Sequence, residues 1–118
     1  MNEIKLLSVK YLQDKTAIIV DDMCDTCGTI LSVTNELMEK GAKNVIVAVS
    51  HGIFSGKAIE RMNSNDDIIS VITSDSIPQI ENAILSSKIE VYSIGSLLAS
   101  VVERLVVGKS ISDLFNFD

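Results

Sequence analysis

The densest run of chemistry-bearing side chains is Val20-Asp21-Asp22-Met23-Cys24-Asp25-Thr26-Cys27-Gly28-Thr29. It follows a compact apolar run, Ala17-Ile18-Ile19-Val20, and precedes a stretch of helical apolar spacing. A strand-to-helix junction presents the unpaired N–H groups of the helix start, and the helix dipole favours an anion there. Gly28 lets backbone approach a ligand without an intervening Cβ. Thr26 and Thr29 add hydroxyl donors. Asp21 and Asp22, at the strand end, can accept hydrogen bonds from sugar hydroxyls or hold Mg²⁺ through water. A phosphate cradle beside a hydroxyl-binding acid pair suits a sugar phosphate. Neither G-x-x-x-x-G-K-[ST] nor G-x-G-x-x-G is present, and the run holds no Lys or Arg. A purely structural reading stands beside this one, because Asp and Thr are good helix N-caps in any α/β protein.

Other chemistries are weaker. Cys24-Asp25-Thr26-Cys27 has the C-x-x-C spacing of a redox pair. A facing proline before a strand is wanted for that fold, and Pro78 leads into Gln79-Ile80-Glu81-Asn82-Ala83, which reads as helix or loop. A zinc site needs about four ligands, and His51 is the one histidine. The two cysteines read as small fillers in a tight turn, His51 as a hydrogen-bonded loop residue, Phe54 as packing and Asp66-Asp67 as a solvated turn.

The elements around this run alternate between short β-branched stretches and amphipathic ones. Buried strands are expected over 17–20, 45–49, 68–73 and 89–94. Helices are expected over 29–40, 56–62 and 96–107, with Gly41 and Gly108 as stops. In the last helix, Leu97, Leu98, Val101, Val102 and Leu105 form the expected buried side, as core or as a subunit contact. His51-Gly52 opens a loop, 74–79 is a loop around Pro78, and 110–115 forms a final turn. Ile4, Leu6 and Leu7 fit strand or helix equally. Strands buried on both faces and alternating with helices predict a parallel α/β sheet. The 118 residues hold no linker, so a single domain over 1–118 is expected.

Ten Lys plus Arg against sixteen Asp plus Glu give a net charge of −6. Such a chain is a poor default partner for nucleic acid or an anionic membrane. No run of 18 apolar residues occurs, so no transmembrane helix is expected. The start reads as lacking a secretory leader, which sets the expectation of a cytoplasmic, reducing compartment.

The 20–29 run resembles the signature of ribose-phosphate pyrophosphokinase, also called phosphoribosyl pyrophosphate synthetase. Three more segments are similar to the family in its own order: Ser50-His51-Gly52-Ile53-Phe54-Ser55-Gly56, Ser74-Asp75-Ser76-Ile77-Pro78-Gln79, and Gly108-Lys109-Ser110-Ile111-Ser112-Asp113-Leu114-Phe115. The likeness covers roughly residues 10–118. Type I phosphoribosyltransferases share a related form of the first segment but not the other three.

The resemblance implies a type I phosphoribosyltransferase-like α/β fold: a parallel sheet flanked by helices. It implies transfer of pyrophosphate from ATP to the anomeric hydroxyl of ribose 5-phosphate, with Mg²⁺ required, in nucleotide biosynthesis. By that likeness Asp25, Thr26, Cys27, Gly28 and Thr29 hold the 5-phosphate, Asp21 binds the ribose, and Asp22 sits beside it. By the same likeness Ser110, Ser112 and Phe115 are expected to help line an allosteric phosphate and ADP site between subunits. Only the family's C-terminal portion is matched. Its adenine site, Mg²⁺-binding His, pyrophosphate-binding loop and the loop with catalytic Lys and Arg have no counterpart in these residues. No catalytic residue and no protein metal ligand is therefore assigned, and the chain alone is expected to hold ribose 5-phosphate without forming product. Expected partners are ribose 5-phosphate or phosphoribosyl pyrophosphate, and further copies or synthetase subunits. The rival reading is a non-catalytic regulatory partner of a full-length synthetase.

Overall fold

A computed structural model describes residues 12–115, so the expectation for Ile4, Leu6 and Leu7 lies outside the described residues. Strand and helix alternate along the chain: β1 (Thr16–Cys24), α1 (Gly28–Glu39), β2 (Asn44–Gly52), α2 (Ala58–Asn63), β3 (Ile68–Ser74), α3 (Ile80–Leu85), β4 (Ile89–Tyr92) and α4 (Gly95–Val107), then a 3-10 turn (Ser112–Phe115). All pairings are parallel, and the strands lie side by side in chain order, β1-β2-β3-β4. The β-branched runs make these strands, and the open stretch after Pro78 resolves as the short helix α3.

Chain order dictates the layers. Each crossover steps the same way across the sheet, and the right-handed rule then puts the connecting helices on one face. Val45, Val47 and Val71 are fully buried there, against Ile30 and Leu37 of α1 and Ala58 and Met62 of α2. Ala17 and Ile19 share this face, since they pair with Val45 and Val47. Ile18 and Val20 pair with Ile46 and Ala48 on the other face, and are 64% and 78% exposed. The expectation of strands buried on both faces is thus corrected. The face bearing Ile18 and Val20 is left open at β1.

The expected buried side of the last helix is corrected as well. Within α4, Leu97, Leu98, Val102 and Leu105 are exposed and Val101 is half-buried. No described strand follows α4, so no crossover draws it back over the sheet. Its end is as expected: Gly108 takes the left-handed conformation (φ 72°), and the Lys109 N–H donates to the Arg104 carbonyl at 2.8 Å.

β1 and β2 both outrun their apolar cores. Met23 pairs with His51 and Cys24 with Gly52. Asp21 and Asp22 therefore lie within a strand, and His51-Gly52 ends a strand rather than opening a loop.

Candidate functional site

Parallel strands bring their C-terminal ends to one edge, where open α/β sheets bind ligands. Here that edge is set by Cys24, Gly52, Ser74 and Tyr92. The β1–α1 turn lies on it. A cavity of about 330 Å³ is lined by one unbroken stretch, residues 21–30. Asp21, Asp22, Asp25, Thr26, Cys27, Gly28 and Thr29 all contribute to its wall.

Helix α1 begins without a side-chain cap. Its N-cap is Cys27, in the left-handed region at φ 66°, and no side chain bonds back to the first turn. The structural alternative, in which Asp or Thr caps the helix, is not realised. The first N–H bonded to the N-cap carbonyl is that of Leu31, to Cys27 at 3.0 Å. The N–H groups of Gly28, Thr29 and Ile30 have no intrahelical acceptor, by helix geometry. Among the described residues, the hydroxyls of Thr26 and Thr29 make no hydrogen bond, and both residues are exposed. The first turn carries no acidic residue. These donors and the dipole suit a dianionic group.

Gly28 is not required by the fold. A Cβ there would meet only Thr26 Oγ1, at 3.9 Å. The space it leaves open is the cavity's.

The acidic groups play separate parts. Asp21 Oδ1 accepts from the Asp22 N–H, and Asp22 Oδ1 from the Met23 N–H, each at 2.8 Å. As strand neighbours their side chains project to opposite faces. Asp25 Oδ1 accepts a short hydrogen bond from Ser55 Oγ. An ionised carboxylate has no donor to offer a phosphate, so Asp25 can serve an anion only through its backbone N–H.

Cys24 and Cys27 are joined by a disulfide, with Cα atoms 5.5 Å apart. They fill the turn as small buried residues, and the bond between them adds a covalent link that the sequence reading did not include. Both are buried, and Cys27 Sγ lies 3.8 Å from Met62 Sδ in the core. Among the described residues no group of three or more His, Cys, Asp or Glu is arranged to hold a metal ion.

Further contacts at this edge involve Arg61, which the sequence reading left unassigned, and His51, which is hydrogen-bonded as that reading had it. Arg61 of α2 donates from Nη1 to the Thr26 carbonyl at 3.1 Å. His51 Nδ1 lies 2.7 Å from Ser76 Oγ, and Ser74 Oγ donates to the Ser50 carbonyl at 2.6 Å. These pairs link the second and third family-like segments. Their spacing in sequence carries no local signal, and only the shared edge brings them together. A larger hollow of about 670 Å³ lies between α1 and α2, with Lys57 and Arg61 set against Glu60, Asp66 and Asp67.

At the chain's far end, Ser110 Oγ and Ser112 Oγ are 2.8 Å apart. Arg104 bonds both the Ser110 carbonyl, at 3.0 Å, and Asp113 Oδ1, at shorter range. That bond holds the Asp113 carboxyl below its usual range and raises Arg104. A cavity of about 390 Å³ here is walled by Arg104, Lys109 and Asp113, not by Ser110, Ser112 or Phe115. Phe115 is 48% exposed.

Comparison with known proteins agrees with this architecture. The phosphoribosyl synthetase-associated domain matches residues 5–116. Ribose-phosphate pyrophosphokinase A of Dictyostelium discoideum is 39% identical over 116 residues, covering 98% of this chain and 36% of that protein. The crystal structure of phosphoribosylpyrophosphate synthetase from Mycobacterium smegmatis matches with a TM-score of 0.76 at 36% identity, over 82% of this chain and 32% of that one. The chain spans about a third of the length of each of these relatives. The helix-flanked parallel sheet is of the phosphoribosyltransferase-like α/β kind. By family model, sequence and fold together, the chain belongs to the phosphoribosyl synthetase-associated domain family, the C-terminal-type domain of the ribose-phosphate pyrophosphokinases.

Proposed function

We propose that this chain holds ribose 5-phosphate for a ribose-phosphate pyrophosphokinase reaction in nucleotide biosynthesis. The observation that carries this is the uncapped start of α1, with its open donors around a cavity built from one stretch of chain. Thr26, Cys27, Gly28 and Thr29, with the backbone of Asp25, receive the 5-phosphate. Asp21 accepts from the ribose hydroxyls, and Asp22 lies beside it in the strand.

In the reaction, the anomeric oxygen of the sugar attacks the β-phosphorus of ATP. The bond from that phosphorus to the α,β-bridging oxygen breaks, AMP leaves, and the sugar hydroxyl loses its proton. The chain's part is positioning: the loop fixes one end of the sugar so that its other end can be aligned. A hydrated Mg²⁺ carried by the substrate phosphates would be reached through water by one strand-end carboxylate, Asp21 or Asp22, since no group of three ligands occurs among the described residues. When bound, Mg²⁺ supplies charge neutralisation on the phosphates. Developing charge on the transferred group needs cations, and no Lys or Arg lies within the loop. On this reading the chain alone binds sugar phosphate and does not turn it over.

Amide NMR titration of the 118-residue chain with ribose 5-phosphate, with and without Mg²⁺, tests the reading. Shifts centred on residues 25–29 support it. A well-dispersed spectrum without shifts there overturns it. AMP release from ATP by the purified chain overturns the claim that it cannot act alone.

We also propose that the chain associates with synthetase chains, its own copies included, in the cytoplasm. The exposed apolar side chains of α4 support the association. Sedimentation showing a monomer at all concentrations, alone and with a longer homologous synthetase chain, would sink it. Binding to that longer chain without sugar-phosphate binding would favour the regulatory role.

A further inference from the structure

The loop's carbonyls are gripped from outside, and the grip determines where its N–H groups point. Three consecutive carbonyls are engaged. That of Cys24 accepts from the N–H groups of Ile53 and Phe54, both at 3.0 Å. That of Asp25 accepts from the Ser55 N–H at 2.9 Å. That of Thr26 accepts from the Arg61 guanidinium at 3.1 Å. The chain has no cis peptide bond among the described residues. In a trans peptide the C=O and the following N–H point in opposite directions. Each engaged carbonyl therefore turns the next N–H, of Asp25, Thr26 and Cys27 in turn, away from the 53–61 segment. Among the described residues none of these three N–H groups donates to another group. The left-handed conformation of Cys27 brings successive N–H groups onto one concave side, the form of an anion-binding nest.

Two of the three grips come from backbone and survive side-chain substitution. The third comes from a side chain. We infer that Arg61 is a positioning residue for the sugar-phosphate loop, holding the Thr26–Cys27 peptide plane so that the Cys27 N–H faces the phosphate. Arg61 acts on the carbonyl side of the loop and does not itself contact the phosphate. The inference rests on the sugar-phosphate reading above, and adds a residue and a geometry to it.

The test compares the parent chain with Arg61→Gln and Arg61→Lys, using ribose 5-phosphate and inorganic phosphate as probes. Arg61 is exposed, so unchanged melting temperatures are expected in both variants. Arg61→Gln should weaken binding about five- to tenfold, the value of one lost hydrogen bond. In the free protein it should also move the Thr26 carbonyl-carbon and Cys27 amide-proton resonances. Arg61→Lys keeps one donor but not the fork, and should restore part of the affinity. A Gln variant that binds as tightly as the parent, with those resonances in place, overturns the inference and leaves the sugar-phosphate reading standing. Full rescue by Lys with an unmoved Cys27 amide would mean that charge alone matters, and also overturns it. No binding by the parent removes the sugar-phosphate reading, and this inference with it.

Discussion

Gln79 donates from its Nε2 to the carbonyl of Gly52 at 2.5 Å, inside the protein and across 27 residues of sequence. Its Oε1 accepts from Asn82 Nδ2 at 2.9 Å, so both ends of a buried amide are satisfied. The bond ties the loop after β3 to the end of β2, two segments that meet only at the strand-end edge. Gln79→Leu leaves the Gly52 carbonyl without its partner and should cost about 1–3 kcal/mol of stability. Urea denaturation of both chains measures it, and an unchanged midpoint would refute it.

Gly52 itself has no room for a side chain. A Cβ would sit 2.4 and 2.7 Å from the Phe54 ring and 2.9 Å from Thr73 Oγ1. Phe54 is buried and already at positive φ, so its ring cannot retreat freely. Gly52→Ala should destabilise by roughly 1–3 kcal/mol, as overpacking does. A thermal melt within error of the parent's would count against it.

Gly28 is the opposite case, and separates ligand binding from folding. Its Cβ position is open, so Gly28→Ala should fold as well as the parent, or up to about 1 kcal/mol better at a helical position. The added methyl intrudes on the cavity, so affinity for ribose 5-phosphate should fall about tenfold. Paired melting and titration experiments read both effects. Undiminished affinity would mean the phosphate does not approach this backbone.

The Cys24–Cys27 bond makes a chemical prediction. Neither thiol should react with an alkylating agent in the folded, unreduced chain. Both should react after treatment with a dithiol and unfolding, since both are buried. Mass spectrometry counts the adducts, and two adducts without reductant would contradict the bond.

Asp75 predicts a pH dependence. Hydrogen bonds from Ser93 and from the Ile94 N–H, the latter at 2.9 Å, favour its charged form and hold it below the ordinary carboxylate value of 3.8. Its contribution is therefore present above 3.8 and lost as pH falls through the lower folded value. Carboxyl-carbon NMR of the folded chain should give a midpoint below 3.8 for Asp75. The stability gap between the parent and Asp75→Asn should close under strongly acidic conditions.

What could be read from sequence followed from the strength of local patterns. The β-branched runs at 45–49 and 68–73 lie within β2 and β3, and the spacing after Gly28 makes α1. The turn that walls the cavity was legible because its small and polar residues are contiguous. The layers were not, because Ile18 and Val20 look as apolar as Ile19 and only strand order leaves them uncovered. Arg61 and Ser55 were illegible for a related reason. Nothing near either in sequence marks it as a partner of Thr26 or Asp25, and only the lateral placement of α2 beside the β1–α1 turn does so.

The same lateral placement has a consequence for synthesis. A chain leaves the ribosome N-terminus first, and strands laid down in chain order can add one at a time to a growing edge. β1 and its turn are among the first described segments to emerge. Yet the groups that orient the turn belong to 53–55 and to Arg61, which lies 35 positions beyond Thr26. A nascent chain arrested before residues 53–61 are exposed would own every residue that walls the cavity and still lack the posture to receive an anion. Competence for ligand arrives with the second strand–helix unit, not with the signature itself.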